Sequence, residues 1–171
     1  MTEKISAEIV EQTWQRIAQT PPSDASILAN QMSKEQPYIM AYLLATADAE
    51  FEPHEGETLF YVGMVTWQMM TQSSGQLQQV GGEVLDKAEA ANFEFLEQFA
   101  KEENGDFEVA TRAILKTYPE PEVFRYVVEA IMEEEPGDPP MSDESRGLAF
   151  VYLKTVLDAM IASLAHPHSA H

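Results

Sequence analysis

Residues 58–71, Thr-Leu-Phe-Tyr-Val-Gly-Met-Val-Thr-Trp-Gln-Met-Met-Thr, are almost wholly apolar and belong to a longer segment, 58–82, without a single charged side chain. The pattern predicts a helix over about 55–71, and a helix that is apolar on every side is normally buried at the centre of a bundle. Pro53 is well placed as its first residue, because a helix start needs no partner for a backbone N–H. We therefore expect the chain to fold around this helix.

Apolar residues recur at helical spacing on both sides of the central segment. They predict eight helices, near residues 4–19, 23–32, 37–47, 55–71, 84–99, 106–114, 123–132 and 148–164. Ser23 or Asp24 is the expected cap of the second helix and Asp106 of the sixth, because short polar side chains accept hydrogen bonds from the free N–H groups of a helix start. No stretch alternates with the two-residue period of a strand. We predict an all-α fold, a compact bundle of about eight helices.

The two halves of the chain resemble each other. Trp14–Ala18, Asp24 and Ile27 are matched 82 positions later by Leu96–Ala100, Asp106 and Val109. Pro37, Ile39, Tyr42, Leu43 and Leu44 are matched 84 positions later by Pro121, Val123, Tyr126, Val127 and Val128. We predict one helical domain over 1–165 made of two four-helix repeats, 4–80 and 83–165, with a flexible junction rich in Gly and Gln between them. Chance likeness between amphipathic helices is the alternative.

The composition is that of an acidic globular protein. The 171 residues are 44% hydrophobic and include 29 acidic but only 10 basic side chains, which gives a net charge of -19. Such a charge repels nucleic-acid phosphates and anionic lipid head groups and attracts basic partners. There is no cysteine, no membrane-length apolar run and no signal-like pattern at the first residues. We expect a cytoplasmic protein that binds neither nucleic acid nor membrane.

An acidic connector surrounds His54, the one histidine in the body of the chain. Asp48, Glu50 and Glu57 lie close to it in sequence, and carboxylate oxygens with one imidazole nitrogen suit a divalent cation. We therefore predict Asp48, Glu50, His54 and Glu57 as a metal site and no other cofactor. The chain has no Glu-x-x-His pair and no EF-hand spacing, so the alternative is a solvated turn whose acids favour the start of the next helix.

The last residues, 166–171, hold three histidines, His166, His168 and His171. Imidazoles this close together on a flexible tail could capture zinc, nickel or copper without preformed geometry. The alternative is a frayed chain end, which is the usual behaviour of a terminus.

The central helix also offers a candidate interface. Methionine adapts to irregular partner surfaces, and two copies of an acidic chain can touch most easily where like charges are absent. We predict Met64, Trp67, Gln68 and Met70 as interface residues of a homodimer. The alternative is that these apolar side chains are simply core.

Motifs of known enzyme classes are absent from the sequence. The chain contains no Gly-x-Ser-x-Gly elbow, no phosphate-binding glycine loop and no His-Glu-x-x-His. Our first hypothesis is a non-enzymatic interaction or regulatory module for a basic protein or peptide. The alternatives are a divalent-metal-binding protein built on the His54 connector, and an acidic nucleic-acid mimic or immunity-type inhibitor.

Overall fold

The computed structural model describes residues 3–101, 106–133, 137 and 139–165, so the tail predicted at 166–171 lies outside the described residues. The described chain forms eight helices and one short β-ladder. The helices are α1 (Ala7–Ala18), α2 (Pro22–Glu35), α3 (Pro37–Glu50), α4 (Pro53–Met70), α5 (Gly82–Lys101), α6 (Phe107–Leu115), α7 (Pro121–Met132) and α8 (Asp143–Ala162). The two-residue strands β1 (Gln76–Leu77) and β2 (Leu164–Ala165) pair antiparallel. The predicted all-α bundle is confirmed.

Proline begins several of the helices, as its fixed φ and missing N–H favour. Pro53 is the first residue of α4, as predicted. Asp106 caps α6, because its carboxylate accepts a hydrogen bond from the backbone N of Glu108 at 2.9 Å. The expectation for α2 was wrong. That helix already begins at Pro22, so Ser23 and Asp24 lie inside its first turn rather than before it.

Helices α4 and α8 form the centre of the bundle. α4 contacts α1, α2, α3, α7 and α8, while α8 also contacts α3, α5 and α7. From Val62 onward in α4 and from Ala149 to Met160 in α8, most residues are buried. Buried threonine hydroxyls of these helices form hydrogen bonds within their own helix. Thr66 donates to the carbonyl oxygen of Val62 and Thr155 to that of Val151, each at 2.7 Å. The burial of most of its positions explains why the segment 58–71 carries no charge.

The two halves use the same helix pairings. In the first half α1 packs on α4, α2 on α3 and α3 on α4; in the second, α5 packs on α8, α6 on α7 and α7 on α8. The sequence-matched pairs Ile39 with Val123 and Leu43 with Val127 are fully buried in both halves. These pairings agree with an internal duplication, which stays a prediction.

Two buried polar side chains tie the halves together reciprocally. Gln36 and Glu120 precede the prolines that begin α3 and α7 and are 2% and 4% exposed. The Gln36 Oε1 accepts a hydrogen bond from the backbone N of Val80 at 2.8 Å, and the Glu120 Oε1 accepts one from that of Ile5 at 2.9 Å. Val80 and Ile5 each lie two residues before the first helix of the opposite half. A side chain of each half therefore holds the backbone segment that leads into the first helix of the other half.

The junction between the halves is held to the end of α8. β1 lies within this Gln-rich segment and pairs with β2, and the backbone N of Gln78 donates to the carbonyl oxygen of Ser163 at 3.0 Å. The flexibility predicted for this junction from its glycines and serines stays a prediction. Over the described residues, no helix combines the length and apolar character that crossing a bilayer requires.

Candidate functional site

A groove of about 840 Å³ opens where α1, the start of α4 and the end of α7 meet. The three helices contact one another, and residues 139–141 close one side of the groove. Its lining comes from regularly spaced positions. His54, Glu57, Thr58 and Tyr61 are three or four residues apart on α4, so that they lie on one helix face. Tyr126 and Glu129 are spaced in the same way on α7, with Glu133 directly after the helix.

The start of α4 is fixed by a capping box. The backbone N of Glu52 donates to the Glu55 Oε1 at 3.1 Å, and the Glu52 side chain accepts in return from the backbone N of Glu55. Such a reciprocal pair holds the first turn in one orientation. It thereby sets the direction in which His54 and Glu57 leave the helix.

Three aromatic side chains line the groove. Trp14 on α1 and Tyr61 on α4 are each 39% exposed, and Tyr126 on α7 is half-buried. Edge-to-face and tilted ring contacts are common elsewhere in the bundle, yet within the described residues none involves these three side chains. Their rings are therefore not stacked on any other ring among the described residues.

The charged lining of the groove is acidic. Glu57, Glu129 and Glu133 are exposed at its walls, and the described residues that line it include no Lys or Arg. Burial raises the pKa of Tyr126 well above its usual range, and the nearby Tyr61 and Glu133 raise it further. The Tyr126 hydroxyl therefore stays protonated at neutral pH and can donate a hydrogen bond. The site combines negative charge with aromatic faces and a hydroxyl donor.

The four predicted metal ligands are divided by the fold. His54 and Glu57 line the groove, whereas Asp48 and Glu50 lie exposed in the last turn of α3 and do not. Within the described part of the chain, no group of three or more His, Cys, Asp or Glu side chains is placed to hold a metal ion. The structure therefore does not bring these four residues together as a ligand set.

The predicted interface residues lie mainly in the core. Trp67 and Met70 are 0% exposed and Met64 is 5% exposed, so only Gln68 of the four reaches solvent. The expectation of a surface role for Met64, Trp67 and Met70 is corrected here. From residue 58 onward α4 lacks charge because neighbouring helices cover most of it, which is the alternative that the sequence left open.

A polar cluster inside the second half was missed by sequence reasoning. Lys154 Nζ donates to the Asn92 Oδ1 and to the Asp158 Oδ2, both at 2.9 Å, and the Tyr118 hydroxyl donates to Asp158. The Asn92 Nδ2 donates to the Thr155 Oγ1 at 3.1 Å. These groups satisfy one another and join α5, α8 and the segment before α7. We interpret the cluster as structural. A lysine four residues before an aspartate in an apolar helix was its one visible signal.

A second groove, of about 670 Å³, is more open and lies at the ends of α2 and α4. Apart from Lys34 and Glu35 its lining is uncharged, with Thr71, Ser73 and Gln76 among its residues. One charge of each sign gives no preference for ligand charge. The groove of α1, α4 and α7 is therefore the better candidate for selective binding.

Comparison with known proteins gives no relative from which a role could be transferred. No protein-family model matches the chain, and no curated protein or solved structure is significantly similar to it.

Proposed function

We propose that the protein is a non-enzymatic binding module that takes a basic segment of a partner protein into the groove of α1, α4 and α7. The observation that carries the proposal is the lining itself: Glu57, Glu129 and Glu133 stand at its walls with no Lys or Arg among the described lining residues. The net charge of -19 adds a field that draws cationic partners toward the chain.

The groove supports binding by more than charge. An exposed ion pair contributes only about 0–1 kcal/mol, so three carboxylates alone would give weak and salt-sensitive association. The exposed Trp14 and Tyr61 add apolar area that a ligand can cover. The volume of about 840 Å³ is in the range of small-molecule pockets and exceeds what one side chain needs. A short extended peptide segment suits this combination.

The same lining gives little support to catalysis. A tyrosine hydroxyl is already protonated at neutral pH, and burial raises the pKa of Tyr126 further, so its hydroxyl is suited to donating a hydrogen bond and not to acting as a base. We therefore keep the non-enzymatic interpretation. The cytoplasmic location remains part of the proposal. Homodimer formation does not, because the helix on which that argument depended is buried.

Peptide titration with matched variants tests the proposal. A short peptide of alternating basic and small residues is titrated into the wild type, into the groove variant Glu57→Gln/Glu129→Gln/Glu133→Gln, and into the control variant Glu83→Gln/Glu94→Gln/Glu97→Gln. Both variants lose the same charge at exposed glutamates, but the control residues lie on α5 outside the groove. Trp14 is the exposed one of the two tryptophans, so its fluorescence reports occupation of the groove directly.

We expect the groove variant to bind the peptide at least about tenfold more weakly than the control variant at moderate salt, where long-range attraction is screened within about 10 Å. Trp14 fluorescence should change on binding to the wild type and the control. Equal weakening in the two variants would show that only the general field attracts the peptide, and the proposal would then be wrong.

A further inference from the structure

The groove contains an aromatic side chain that the packing of the fold does not need. Trp14 is 39% exposed on α1, and Leu96 occupies the matching position on α5 in the second half. Leu96 lies against Gly147 at the start of α8 and is only partly exposed. In the second half, a leucine at this position therefore suffices for packing the first helix, α5, against the last helix, α8. The larger indole of Trp14 is left partly exposed and lines the groove.

We infer that the groove receives an arginine side chain of the partner, an inference that rests on the proposed function. A guanidinium group is a planar fork of five N–H donors that pairs with carboxylates while its face stacks on an aromatic ring. The groove offers both elements on different helices. Glu57 on α4 and Glu129 on α7 supply carboxylates, and Trp14 on α1 supplies the ring.

Lysine uses the same lining less well. Its ammonium is a compact and strongly hydrated point charge, so it loses more hydration on entering a partly buried groove and has no flat face to lay on an indole. The net charge of -19 attracts arginine and lysine peptides equally at long range. A preference between two peptides of equal charge therefore isolates the chemistry of the groove from the general field.

Two peptides of the same length, with arginine in one and lysine in the other at every basic position, are titrated calorimetrically. The proteins are the wild type, Trp14→Leu and Tyr38→Leu. Tyr38 is a matched control because it is an exposed aromatic residue, 51% accessible, on α3 and outside the groove. Thermal melting checks that each variant is folded. Should Trp14→Leu melt below the assay temperature, Tyr61→Leu repeats the test on the α4 wall.

The wild type should bind the arginine peptide about tenfold more tightly than the lysine peptide, which is the range that ring stacking on a guanidinium provides. Trp14→Leu should reduce this preference below about twofold, mainly by weakening the arginine complex, whereas Tyr38→Leu should keep it. A preference that survives in Trp14→Leu, or in Tyr61→Leu where that variant takes its place, would overturn the inference.

Failure of the inference is distinguishable from failure of the proposed function. If the wild type binds both peptides equally and the groove variant loses both, the groove binds basic segments without reading arginine, and only the inference is wrong. If the groove variant and its α5 control bind both peptides alike, the groove is not the binding site and the proposed function fails with it.

Discussion

Tyr42 and Tyr126 occupy matching positions in the two halves, but their surroundings differ. The Tyr42 hydroxyl donates to the Glu89 Oε1 at 3.0 Å, and its ring meets that of Tyr152 edge to face with centroids 6.0 Å apart. Tyr126 has no ring contact among the described residues and lines the groove. Burial raises the pKa of both tyrosines well above the usual range.

The difference separates a region whose polar and aromatic groups are paired within the chain from a region whose groups line a groove. Tyr42 is paired with a carboxylate and an aromatic ring of the same chain, so its hydroxyl and ring are satisfied by intramolecular contacts. Around Tyr126 carboxylates and rings line a groove, and no ring contact within the described residues involves Tyr126. Under the proposed function, a ligand supplies the groups that interact with this lining.

The largest expected effect concerns the tight packing of α3 on α4 beside Tyr42. Leu43 is fully buried, and a Cβ added at Gly63 would lie 2.6 Å from the Leu43 Cδ1. Leu43→Ala should lower the free energy of unfolding by about 3 kcal/mol through the cavity it leaves. Gly63→Ala alone should cost about 1–3 kcal/mol, because the added methyl collides with Leu43.

The double variant sharpens this prediction. In Leu43→Ala/Gly63→Ala the new methyl enters space that the leucine has vacated. The double variant should therefore lose less free energy of unfolding than the sum of the two single variants, by at least about 0.5 kcal/mol. Urea unfolding of the four proteins measures the coupling. Strictly additive losses would mean that α3 and α4 do not pack as closely at Gly63 as the structure has them.

Removal of one hydroxyl from each half compares the two tyrosines directly. Tyr42→Phe should cost about 1 kcal/mol, because the half-buried Glu89 loses its hydrogen-bond donor. Tyr126→Phe should change stability by less than about 0.5 kcal/mol, because no hydrogen bond within the described residues depends on its hydroxyl. Thermal and urea unfolding measure both variants. Equal losses of stability in the two variants would contradict the distinction between a tyrosine paired within the chain and one that lines the groove.

The sequence predicted the positions of the helices better than it predicted how the helices pack against one another. The charge-free run 58–71, the proline Pro53 at a helix start and the cap Asp106 are local signals, so helix positions followed from them. Trp14, Tyr61 and Tyr126 come from three helices far apart in the chain. Which helix faces converge is decided by long-range packing that no periodicity records. His54 and Glu57 were predicted as metal ligands, and the structure places both in the lining of the groove. The aromatic side chains beside them were not predicted, because composition alone does not reveal them.

The misassigned interface has a related cause. An apolar helix that will be covered by a partner and one that will be covered by its own chain have the same composition, so Met64, Trp67 and Met70 fit both interpretations until burial is known. The tie between Gln36 and Val80 was also out of reach, since it joins residues more than 40 positions apart through one amide. Long-range polar contacts leave no periodic trace.

The smallest expected effect compares the two reciprocal ties. Burial raises the pKa of Glu120, while the backbone N–H of Ile5 and the Lys4 charge oppose that shift. A raised carboxyl pKa means that the folded state holds the proton more tightly than the unfolded state. The stabilisation from protonation is therefore fully present below the unfolded pKa, about 4.3, and lost as pH rises through the folded pKa.

Glu120→Gln should accordingly stabilise the protein at pH 7, by less than about 1 kcal/mol, and have little effect near pH 3. The amide keeps an oxygen for the Ile5 N–H, as Gln36 does for Val80 at the matching position. The reverse change, Gln36→Glu, should destabilise at pH 7, because a buried carboxylate cannot donate to the Gln78 carbonyl oxygen, which the Gln36 Nε2 reaches at 3.0 Å. Urea unfolding at the two pH values tests both variants. If Glu120→Gln were destabilising at neutral pH, the carboxylate would be a favourable anchor for the N-terminal segment, and the two ties would not be equivalent.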